Sequence, residues 1–160
     1  MDEKLLKSAI NKAAREISAQ PLGLAIQRAD DDAVAVQCFS NVDKKMLKAG
    51  GRKQFGWSVH HRYADKIPGP GYIYFTHHAV WVDPRGHLID VTPYPEARHR
   101  PLPAPGDTPF LMDDKAVPTK GLALPPRFFA VDEGEALATY VDELNAEAQA
   151  KYDKELDEAD

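Results

Sequence analysis

The chain has 160 residues, 43% of them hydrophobic, with one cysteine and a formal net charge of -5 from 25 acidic and 20 basic side chains. That is enough for one domain with a real core over residues 1 to 160, and leaves little room for a second. The acidic surplus gives no general attraction to nucleic acid or anionic lipid, and a single thiol excludes an internal disulfide or a multi-thiolate zinc site.

Residues 3 to 18 place Leu5, Leu6, Ala9, Ile10, Ala13 and Ile17 at helical spacing, and "QPLG" stops the pattern. The acids at positions 2 and 3 and the absence of a long apolar run match neither a secretory signal nor a membrane span, so a cytoplasmic protein is expected. Residues 21 to 32 read as a connection and "AVAVQ", 33 to 37, as a short strand ending at Cys38. Phe39, Val42, Met46 and Ala49 then recur at helical spacing until Gly50 and Gly51 close a helix.

Strands are expected at 54 to 61, 72 to 82 and 87 to 92, with "KIPGPG" as a loop between the first two. Nine prolines between 93 and 126 predict an extended wrap over the core. An acidic helix closes the chain over 132 to 158; its stripe of Ala136, Leu137, Tyr140, Val141 and Leu144 should dock, and its charged end beyond about 150 should fray.

"DPRG", residues 83 to 86, has proline second and glycine fourth, which suits a type I turn followed by a left-handed glycine. In that three-residue loop, partner numbers sum to 170. Val82 then pairs with Leu88, and His78, Val80, Val82, Leu88, Asp90 and Thr92 share one face, with His77, Ala79, Trp81, Ile89 and Val91 on the other. His78 and Asp90 become diagonal neighbours within reach of a hydrogen bond, while His77 points away.

A carboxylate beside an imidazole fixes the tautomer and steadies the imidazolium. Cys38, at the start of a helix, has access to the two common means of activating a thiol, a helix N-terminus and a nearby imidazolium. Ser40 and Asp43 form a competing signal, a capping box that would start the helix after the cysteine. Gln37, Asn41 and Gln54 are candidate oxyanion donors, and Trp57 is a candidate cleft wall as well as a core residue.

A cysteine opening a helix, then "HHAVW", then a hairpin return to "LIDVTP" resembles the core of the transglutaminase-like superfamily within the papain-like cysteine enzymes, over roughly residues 33 to 93. The same segments resemble small bacterial and phage proteins. The resemblance implies an α+β fold: an antiparallel sheet, a helix carrying the cysteine at its N-terminus, and flanking N- and C-terminal helices. It implies Cys38 as nucleophile, His78 as general base and acid, and Asp90 as the orienting carboxylate, with no cofactor. The span from Cys38 to His78 is short for a full transglutaminase and no calcium-binding loop is evident, so calcium-activated crosslinking is not expected.

The expected activity is thiol-dependent acyl transfer on a protein or peptide-like substrate bearing an amide or ester, by a protease, deamidase, amidase or transglutaminase. Two other readings compete. One keeps the scaffold as a non-catalytic binding module; the other gathers His60, His61, His77, His78 and Asp90 around a metal, although paired histidines in a strand offer one ligand per face.

Overall fold

The computed structural model describes residues 2–93 and 107–159. Its elements in chain order are α1 (Glu3–Ile17), β1 (Leu22–Gln27), α2 (Cys38–Ala49), β2 (Arg52–Arg62), β3 (Tyr72–Val82), β4 (Leu88–Asp90), β5 (Thr108–Met112), β6 (Arg127–Ala130) and α3 (Glu135–Glu158). The architecture is α+β. The part of the expected proline-rich wrap over 94 to 106 lies outside the described residues.

The strands form one sheet in the order β2-β5-β1-β4-β3-β6, and β2 pairs in addition with β3. That last pairing closes β2, β5, β1, β4 and β3 into a five-stranded barrel. β6 continues alongside the first half of β3, outside the ring. The sheet is mixed and not purely antiparallel, because β1 runs parallel to β4, with Ile26 opposite Ile89 and Gln27 opposite Asp90.

Alternation along the strands decides what fills the barrel and what covers it. Ala25, Val80 and Phe110 pack together inside, supported by Leu88 and Met112. On the outer face, α1 lays Ala13 and Ala14 against Trp57, Val59, Ile73, Phe75 and Leu111. α2 lays Val42, with Phe39 and Met46, against Ala79, Trp81, Ile89 and Val91. α3 docks Leu137 and Val141 on Tyr72 and Tyr74, where the β2-β3 ribbon extends past the ring. Ala136 of the expected docking stripe is exposed, and the helix stays regular to Glu158 instead of fraying past 150.

The β3-β4 turn follows the chemistry of "DPRG". Val82 is opposite Leu88 and Trp81 opposite Ile89, the register whose numbers sum to 170. Gly86 has φ 92° and its N–H donates to Asp83 O at 2.9 Å. Asp83 Oδ1 accepts the N–H groups of Arg85 and His87, each at 2.9 Å, so the turn is tied from within.

Three sequence expectations are corrected. Residues 33 to 37 form a turn, and the strand lies at 22–27 in what read as a connection. Asn41 explains why: its side chain occupies both backbone groups of Val34, which leaves that residue nothing to give to a ladder. The second is β5, inside the proline-rich stretch. Pro109 is tolerated because β5 meets β2 only at Phe110, Leu111 and Met112, so the proline faces a partner strand on the β1 side alone. The third is β6, too short and too aromatic for alternation to separate it from a loop; Asn145 of α3 completes its outer edge, accepting from Phe128 N–H and donating to Phe128 O, both at 2.9 Å. Among the described residues, no helix is long and apolar enough to cross a membrane.

Candidate functional site

His78 lies opposite Gly56 on the barrel-facing side of β3. Its edge of β3 is shared by two strands: β6 pairs with residues 72–75 and β4 with 81–82. Thr76 to Val80 lie between them, and there the N-terminus of α2, which otherwise packs on the outer face, reaches the inward-pointing histidine.

Asp90 is 1% exposed, and a carboxylate so deeply placed must be fully paired. Its Oδ2 is 2.9 Å from His78 Nε2 and 2.9 Å from the Thr108 hydroxyl, and Oδ1 accepts Thr92 N–H at 3.2 Å. The Thr108 hydroxyl is also 2.9 Å from Gln27 Oε1, and Gln27 Nε2 donates to Thr92 O at 2.8 Å. The carboxylate is thus fixed by β3, β5 and its own i+2 backbone.

With Nε2 of His78 committed to Asp90, the ring nitrogen left for other work is Nδ1. The Cys38 side chain lies near enough to the imidazole to favour its charged form. Burial by itself disfavours the charged ring, yet Asp90 and then Cys38 outweigh it and hold His78 well above the ordinary histidine value. The three residues therefore form a chain, thiol to imidazole to carboxylate, in which the imidazole is stabilised in its protonated form.

The start of α2 suits a nucleophile. Gln37 is the N-cap residue and makes no side-chain cap bond, and the first turn contains no acid. The Ser40/Asp43 capping box is not used: the helix begins at Cys38 itself. Unshared N–H groups and the positive end of the dipole are therefore directed at the cysteine and at any anion forming beside it.

The supporting candidates divide. Asn41 is buried, but both its amide hydrogens are taken, by Val34 O at 2.8 Å and Thr92 Oγ1 at 3.0 Å, so it positions the site and does not donate to it. Gln54 shares the His78 face of β2 and spends its amide on Phe55 O and Asp114 Oδ1. Trp57 lies on the opposite face, beneath α1, with Nε1–H on Asp113 at 2.9 Å, and is a core residue. Gln37 is exposed at the helix end. The sequence places Thr92 on the His78 face without a role of its own, and does not pick out Thr108. "D-x-T" is a recognisable local Asx pattern for Thr92, whereas Thr108 sits on a strand hidden by its prolines.

His77 plays a different part. Its Nδ1 accepts Leu124 N–H at 2.8 Å and its Nε2 lies 2.6 Å from Ala116 O, which makes Nε2 the protonated nitrogen. Burial lowers its pKa, against the pull of the Ala116 bond, and Phe39, Phe55 and Trp57 surround the ring. The ring pins the 113–124 segment to the outside of the barrel.

His60 bonds Ser58 and Thr76, and His61 Nε2 bonds Pro70 O at 2.7 Å. Among the described residues, no three His, Cys, Asp or Glu side chains gather closely enough to hold a metal ion.

No family model matches the chain, and no curated protein or solved structure is significantly similar to it.

Proposed function

We propose that the protein is a thiol-dependent acyl-transfer enzyme with a Cys38-His78-Asp90 triad, built on a transglutaminase-like or papain-like arrangement of nucleophile helix and sheet. The observation that carries this reading is the position of His78 between Asp90 on one ring nitrogen and the Cys38 thiol.

His78 takes the thiol proton, and Cys38 Sγ attacks the carbonyl carbon of an amide or ester. Charge builds on the carbonyl oxygen, where the uncapped N–H groups at the start of α2 stabilise it. As the tetrahedral species collapses, the carbon–nitrogen or carbon–oxygen bond breaks and the imidazolium gives its proton to the leaving group. A thioester on Cys38 remains. Water or an amine, deprotonated by His78, attacks it and frees the thiol. Asp90 keeps the ring oriented and offsets its charge throughout, as a triad carboxylate does. Protein or peptide-like amides, including isopeptides and glutamine side chains, are the substrates this chemistry serves, with hydrolysis, deamidation or transfer decided by the acceptor.

Alkylation of the native protein by iodoacetamide across pH tests the reading. Labelling of Cys38 that persists well below pH 8, and drops in His78→Ala, is the expected result. An ordinary thiol pH profile, unchanged in His78→Ala, would overturn it and leave a binding module on the same scaffold.

A further inference from the structure

Gln37 N–H donates to Val34 O at 3.2 Å, closing a four-residue turn directly before α2. Val36 is the third residue of that turn and has φ 71°, while Ala35 before it has no positive φ. This is the φ pattern of a type II turn, whose third position is normally glycine or asparagine. A left-handed conformation is unfavourable for an ordinary L-residue, and a β-branched one is a real outlier there.

Burial does not offset that strain, because Val36 is 76% exposed and Val34 is 47% exposed. The turn is nevertheless held firmly. Asn41 bonds Val34 N–H and O, Asp30 N–H bonds Val91 O at 3.0 Å, and the Asp30 carboxylate meets Lys45 at 3.0 Å and Lys48 at 2.6 Å on α2. Two valines are thus presented rigidly to solvent, in a conformation the fold would hold more easily with glycine, and the second lies two residues from Cys38.

Strain that neither packing nor turn chemistry explains, beside a nucleophile, points to use of the side chain itself. We infer that Val34 and Val36 form the apolar wall of the subsite flanking Cys38, so that the preferred acyl donor carries an aliphatic or aromatic group within about one residue of the attacked carbonyl. This deepens the acyl-transfer reading and rests on it.

The test compares two alkylating agents on the full chain, iodoacetamide and N-benzyliodoacetamide. Each forms a carbon–sulfur bond at Cys38 as the carbon–iodine bond breaks and iodide leaves. The wild type should react with the benzyl reagent roughly tenfold faster than with iodoacetamide, the scale expected for burying a small apolar group. In Val36→Asn and Val36→Gly that ratio should fall toward one, while the iodoacetamide rate stays within about twofold. Asparagine accepts the left-handed region, so Val36→Asn should melt no lower than the wild type. An unchanged ratio in both variants overturns the inference, and so does a fall in melting temperature in both, which would make the valine a packing residue. The pH profile with iodoacetamide reports the triad and the reagent ratio reports the wall, so the two readings fail separately.

Discussion

Asn41 holds Val34 at both backbone groups, accepting its N–H at 3.0 Å and donating to its carbonyl at 2.8 Å, and reaches Thr92 Oγ1 at 3.0 Å with its second amide hydrogen. One side chain therefore ties the turn before Cys38, the helix that carries Cys38 and the strand exit after Asp90. Asn41→Ala would remove three hydrogen bonds, two to Val34 and one to the buried Thr92 hydroxyl, at about 1 kcal/mol each. A loss of roughly 2–4 kcal/mol in denaturant unfolding is expected, together with weaker discrimination by Cys38 between alkylating agents. Asn41→Asp keeps the acceptor for Val34 N–H but loses the donor, and should fall between the two.

Asp90→Asn keeps the shape and removes the charge that holds the His78 imidazolium. Acyl transfer should fall by about 10²–10⁴, the range for a misdirected general base. Alkylation of Cys38 should shift toward the pH dependence of an ordinary thiol. Thr108→Val, which removes one hydroxyl from the same carboxylate, should move both measurements in the same direction by less.

The two neighbouring histidines pull stability in opposite directions with pH. His78 is held well above its ordinary value, so its share of stability is complete below about pH 6.5 and is lost as pH rises through its folded value. His77 is lowered by burial, so its share is complete above about pH 6.5 and is lost as pH falls through its folded value. Denaturant unfolding across pH should show His77→Gln flattening the acid limb and His78→Gln flattening the neutral-to-alkaline limb. Parallel pH curves for wild type and both variants would contradict the assignment.

Gly56 is opposite His78 in the β2-β3 ladder and faces the barrel interior, where a Cβ would collide with the Leu111 carbonyl oxygen and the Phe110 ring. The obstacle on the Leu111 side is backbone, so β5 must shift as a unit. Gly56→Ala should destabilise by about 3 kcal/mol or prevent folding, as severe overpacking does. Since β5 carries Thr108, any folded fraction should also label Cys38 with an altered pH profile. Gly23, whose Cβ would meet nothing, is the control and should tolerate alanine.

The sequence showed most clearly where local chemistry governs. The "DPRG" turn sets its own register through Asp83 and Gly86, and from that register the pairing of His78 with Asp90 and the diversion of His77 follow by alternation alone. α1, α2, β2 and β3 are likewise marked by period and by their glycine stops. What failed was non-local. "AVAVQ" has a strand's alternation, but Asn41 claims its backbone from a helix that follows it. "LGLAIQ" has no clear alternation and becomes a strand because β4 and β5 border it on both sides. β5 carries a proline that only its offset pairing makes acceptable, and with it Thr108 was hidden from the candidate site.

The amide of Asn145 has a consequence for how the protein behaves among copies of itself. A closed ring has no open rim, but β6 lies outside the ring, and an unpaired strand there would be a template for any extended chain that met it. Asn145 supplies the donor and the acceptor that a seventh strand would bring to Phe128, from a helix that cannot be extended sideways. At Phe128 the sheet is therefore terminated by a single side chain, at the point where it would otherwise recruit a neighbour.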